Sequence, residues 1–121
     1  LGVDMLHHNA DAAALGLFQA VKDRPGIYVF GANADQHALA PGHVLGSAVI
    51  DLPRAMLLVA KEVHDGRFTP HVESFGVASG VVRYAPDPAL AERVPSALAR
   101  RVAAAADSIA RGTLIPVPDS K

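Results

Sequence analysis

The sequence predicts an α/β fold: a parallel sheet with covering helices. Three observations lead there. Short apolar runs alternate with amphipathic stretches through the first half, turn-forming or helix-capping residues punctuate the junctions, and 121 residues at 50% hydrophobic suffice to bury one core.

Met5-Leu6-His7-His8 reads as the first strand, with Val3 as a start. Asp11 stands at an N-cap position before an amphipathic run from Ala12 to Lys22, and Arg24-Pro25-Gly26 stops that helix. Ile27-Tyr28-Val29-Phe30 is β-branched and aromatic and forms the second strand; a loop follows from Gly31-Ala32-Asn33-Ala34-Asp35-Gln36 through Pro41-Gly42. Val44 to Ile50 is the third. Asp51 caps the next helix, Pro53 lies in its first turn, Leu52, Met56, Val59 and Val63 form its expected buried stripe, and Gly66 ends it. Val72–Val77 and Val81–Tyr84 flank Ala78-Ser79-Gly80 as an expected hairpin or sharp reversal. A last helix runs from about Pro95 to Arg111 with Leu98, Val102, Ala105 and Ile109 in line. Leu114-Ile115 is an expected final strand before a Pro-rich tail.

Composition narrows the function. Eleven basic against twelve acidic residues leave a net charge of -1, which gives no electrostatic footprint for nucleic acid or anionic lipid. No run reaches the roughly 18 apolar residues of a bilayer span. Without cysteine there is neither a disulfide framework nor a thiolate zinc site. The chain opens on Leu1-Gly2-Val3-Asp4 with no charged leader, so it reads as part of something longer. Bare sheet edges then predict self-association.

In a parallel sheet, ligands bind beyond the carboxyl ends of the strands. Polar residues gather at those places: His8, Asn9 and Asp11 after the first strand, Asn33 and Asp35 after the second, Asp51 after the third. Each also has a structural reading. Asp11 and Asp51 suit N-caps, and Asn33 and Asp35 suit turns. His7 and His8 are adjacent on a strand and face opposite ways; with no compact ligand spacing to His37 or His43, no metal site is expected. Nucleophile-elbow, phosphate-loop and dinucleotide motifs are missing, so an enzyme using His8 with Asp11 or Asp35 is the minor alternative.

The order of segments resembles a known family. Gly2-Val3-Asp4-Met5-Leu6, then Leu15-Gly16-Leu17-Phe18-Gln19-Ala20, Gly31-Ala32-Asn33-Ala34-Asp35-Gln36, Ala40-Pro41-Gly42-His43-Val44-Leu45 and Lys61-Glu62-Val63-His64-Asp65-Gly66-Arg67-Phe68 are similar to successive stretches of the basic membrane protein family. That family comprises the PnrA-like substrate-binding lipoproteins of ABC transporters. The resemblance implies a three-layer, Rossmann-like lobe with a mainly parallel sheet, one part of a two-lobed type I periplasmic-binding fold. Residues 1–121 would be a partial C-terminal lobe without the N-terminal one. It further implies an exported, membrane-anchored parent that binds a small polar solute, such as a purine nucleoside or nucleobase, and presents it to a permease without catalysis or cofactor. By position, the family's ribose-contacting aspartate falls on Asn33 and a second contact, a lysine, on Ile50; both changes remove charge. A cytosolic ligand-sensing regulatory domain is the other reading of the same lobe.

Overall fold

The computed structural model describes residues 2–116. Its sheet has the order β1-β2-β3-β4, formed by β1 (Met5–His7), β2 (Tyr28–Asn33), β3 (Val44–Ile50) and β4 (Val82–Pro86). β1 pairs parallel to β2 with His7 opposite Phe30, and β2 pairs parallel to β3 with Asn33 opposite Val49. The expected parallel core of three strands is therefore present. Central β3 is buried at Val44, Leu45, Gly46, Ser47 and Val49, as a strand covered on both faces should be.

β4 corrects the expected hairpin. Val72 to Val77 forms no strand, and Val72 is 93% exposed. The Asp87 N–H donates to Leu45 O (3.0 Å) and the Asp51 N–H to Val81 O (2.7 Å), so residue numbers rise on one side as they fall on the other. β4 thus lies antiparallel to β3. From the segment before Gly80, Gly76 O accepts the Val82 N–H at 3.3 Å, but residues 72–77 form no strand beside β4.

The helices are α1 (Ala14–Lys22), α2 (Leu52–His64) and α3 (Ser96–Ala110). Contacts divide the chain into two compact units, Leu1–Ile50 with Tyr84–Pro95, and Asp51–Arg83 with Ser96–Lys121. In the first, α1 buries Ala14, Phe18 and Val21, spaced i, i+4, i+7, against Val29, Ala40 and Val44. Phe18 alone contributes roughly 1.5–3 kcal/mol through removal of its ring from water.

Two further expectations are corrected. Asp11 does not cap α1; it opens a short 3-10 turn at φ 47°, and Ala13, with no capping side chain, precedes the helix. On α2, Leu52, Met56 and Val63 of the expected buried stripe are 61%, 70% and 57% exposed. Ala55 is the buried position, with Leu58, Val59 and Glu62 half-buried. Leu98 and Val102 of α3 are likewise exposed, while Ala105 and Ile109 are half-buried. Periodicity identified these helices but not which apolar residues have something to pack against. The helix stops at Gly66 and Gly112 hold: both adopt positive φ, and the Arg67 and Thr113 N–H groups reach back to Glu62 O and Ser108 O. Leu114 and Ile115 form no strand, and the tail beyond Pro116 lies outside the described residues. No helix among the described residues is long and apolar enough to cross a membrane.

Candidate functional site

Parallel pairing puts the ends of β1 and β2 at one edge of the sheet, and the two loops that follow are joined through Gln36. The Gln36 carboxamide oxygen accepts the Ala32 N–H at 2.9 Å and meets His8 Nε2 at 2.9 Å. Its own backbone N–H donates to Ser47 Oγ at 3.1 Å. Because Oε1 already serves as acceptor for Ala32, the imidazole must donate from Nε2, which assigns the hydrogen to that nitrogen. Gly31 makes this arrangement possible. A Cβ there would stand 2.5 Å from Ser47 Oγ and 2.9 Å from Gln36 Oε1.

His8 is 7% exposed and packs edge-on to Phe18, with ring centroids 5.3 Å apart. His7 is exposed, so the two adjacent histidines do face opposite ways. The second ring nitrogen of His8, Nδ1, is buried and has no hydrogen-bond partner among the described residues. A neutral ring with its hydrogen on Nε2 leaves Nδ1 as an acceptor.

Asn9, Asp11 and Asn33 are exposed. Asn33 has φ 67° and Asp11 φ 47°, both in the left-handed region, where only glycine is free of strain and Asn and Asp are tolerated best among the rest. Among the described residues none of these three side chains makes a hydrogen bond to the protein. Asp35 is engaged: its Oδ1 accepts the His37 N–H at 3.2 Å and lies 2.7 Å from His37 Nδ1. Asp35 thus acts as a turn former, bonding the backbone two residues on. His8 bonds Gln36 and Asp35 bonds His37, so neither His8–Asp pair of the enzyme alternative is formed.

Asp51 belongs to the second unit and caps α2, accepting the Arg54 N–H at 2.9 Å. Ile50, at the last position of β3, is 46% exposed.

The residues that organise the first unit's loops, Gln36, Ser47 and Gly31, were not singled out from sequence. Ser47 carried a signal, as the single polar residue in Val44-Leu45-Gly46-Ser47-Ala48-Val49-Ile50, fully buried in the fold. Gln36 carried none, because its partners come from positions 4, 11 and 28 residues away.

Comparison with known proteins agrees with this architecture. Residues 1–110 match the family model Bmp, described as ABC transporter substrate-binding protein PnrA-like. Basic membrane protein A of Borreliella afzelii is 30% identical over 90 residues, which are 72% of this chain and 28% of that protein. Basic membrane protein B of Borrelia garinii subsp. bavariensis is 37% identical over 62 residues, 50% of this chain and 18% of that one. The chain therefore spans about a quarter of the first relative's length and less than a fifth of the second's. In structure it is similar to a transcriptional activator of the comK gene from Bacillus halodurans, with a TM-score of 0.81 at 23% identity over 95% of this chain and 39% of that one. That likeness concerns the fold.

Proposed function

We propose that this chain, which belongs to the family of PnrA-like ABC transporter substrate-binding proteins, forms a partial C-terminal lobe of a solute receptor serving an ABC importer. The observation that carries this reading is the pair of loops joined by Gln36 at the carboxyl ends of β1 and β2, which leaves Asn9, Asp11 and Asn33 exposed and unbonded. Such side chains offer donors and acceptors to hydroxyls and ring nitrogens. The ligand class is a small polar solute, with a purine nucleoside or nucleobase first. His8 and Asp35 support the loops behind these residues, and Asp51 is the outlying member of the set.

In this proposal the protein is not an enzyme and needs no cofactor. An N-terminal lobe supplies the opposite wall, closure buries the solute, and the closed form is presented to the permease. The receptor works outside the cytoplasmic membrane as a lipid-anchored protein. The isolated chain self-associates along β1, an edge strand with Met5 56% exposed; sedimentation velocity that finds only monomer would refute this last part.

Calorimetry of the protein carrying this lobe, against purine nucleobases, nucleosides and sugars, tests the main reading. Asn33→Gly keeps the left-handed backbone and removes only the amide. A loss of about tenfold or more in affinity is expected, in line with one lost hydrogen bond of about 1.5 kcal/mol. Unchanged affinity would dismiss Asn33 from the site.

A further inference from the structure

We propose a divalent transition-metal site in the second unit, formed by Glu62 at the end of α2 and by His71 and Glu73 in the irregular segment that follows. One ligand atom from each of these side chains lies within 4.8 Å of the others. Donors each about 2.0–2.2 Å from one ion stand at most about 4.4 Å apart, so a small side-chain adjustment brings these three atoms onto one ion.

Hydrogen bonding around His71 fixes which atom faces the carboxylates. His71 Nδ1 lies 2.5 Å from Thr69 O, and a carbonyl only accepts, so this nitrogen carries a hydrogen. Nε2 lies 2.5 Å from Glu73 Oε2; a carboxylate only accepts, so without an ion this nitrogen donates, and a bound cation takes the place of its hydrogen. An imidazole anchored through one ring N–H to a backbone carbonyl is the arrangement that metal-binding histidines use to hold orientation, with the other nitrogen available to the ion. Charge points the same way. Glu62 and Glu73 bring two negative charges to the cluster, while the neighbouring Arg67 is held on Asp65 at 2.8 Å. A divalent ion that replaces the Nε2 hydrogen of His71 balances the two carboxylates.

The donor set selects the ion class. One imidazole and two carboxylates, without thiolate, suit a borderline cation such as Zn2+ better than Ca2+ or Mg2+, which prefer oxygen alone. Three protein ligands leave room for water, so the ion is exchangeable. The site also has a structural consequence: it ties residues 71 and 73, outside any regular element, to the end of α2. None of its residues belongs to the proposed solute site, so the two proposals stand or fall separately.

Titration of the full chain with ZnCl2 in a weakly coordinating buffer tests the site by calorimetry. One saturable equivalent is expected, with at least tenfold weaker binding in Glu62→Gln, His71→Asn and Glu73→Gln, and an unchanged constant in His64→Asn. A second readout needs no substitution: Zn2+ should shift the imidazole resonances of His71 and leave those of His43, whose Nδ1 is bonded to Ile27 O, in place. Absent saturable binding, a loss below tenfold in any of the three ligand variants, or a His71 ring that does not respond would each overturn the proposal.

Discussion

The His8 imidazole and the Gln36 carboxamide meet at 2.9 Å across 28 residues of sequence, and this contact joins the loop after β1 to the loop after β2. The same carboxamide oxygen holds the Ala32 N–H, so one side chain satisfies donors from two segments. Loops joined in this way restrain the segments that carry Asn9 and Asn33, which the proposed solute site requires.

Replacing Gln36 by Met keeps much of its volume and removes both acceptor contacts. The Ala32 N–H and the His8 ring then lose their partner, and a buried polar group left unpaired costs about 1–3 kcal/mol. Gln36→Met should lower stability by about 2 kcal/mol, read as a lower urea midpoint with an unchanged slope. A midpoint within error of the parent would show that the bond does not form in solution.

Gly46 and Tyr84 form a second dependent pair. A Cβ at Gly46 would collide with the Tyr84 ring and hydroxyl, and that hydroxyl donates to Leu45 O at 3.4 Å. Burial raises the Tyr84 phenol above its ordinary value. Gly46→Ala should cost about 1–3 kcal/mol from overpacking. On a Tyr84→Leu background the same change should cost much less, because the obstructing ring is gone. Additive effects in the double-mutant cycle would mean that the two residues do not touch.

Asp51 separates capping from ligand binding. Asp51→Ala removes the acceptor for the Arg54 N–H and should cost about 1 kcal/mol of stability, measured by thermal melting. Asp51→Asn retains the cap and should melt within a few tenths of a kcal/mol of the parent. A loss of solute affinity in the Asn variant therefore reports contact with the solute, since the helix start is intact.

His71 supplies a pH dependence. With chelator present, its imidazole is held above the ordinary histidine value, first by the bond to Thr69 O and then by Glu73. Its NMR titration midpoint should lie above about 6.5, the unperturbed value, and move down in Glu73→Gln. A group whose folded pKa is raised contributes stability that is complete below the unfolded value and disappears as pH rises through the folded one. The contact therefore weakens on going from acid to mildly alkaline pH. A midpoint at or below the unperturbed value would remove this effect.

The amino-acid sequence by itself determined the elements whose signals are local. Gly66 and Gly112 end their helices because glycine tolerates positive φ, Asp51 starts α2 because its carboxylate reaches an N–H three residues on, and three apolar runs separated by crossovers form the parallel strands. Tertiary structure alone decided the rest. β4 turned to pair with β3 instead of closing a hairpin, Leu52, Met56 and Val63 were left exposed, and Gln36 became the joint between two loops. Each of these outcomes depends on a partner distant in sequence. A strand edge, a packing surface or a donor to a carboxamide exists only once the chain has brought separate segments together, and no periodicity or spacing records which segments those are.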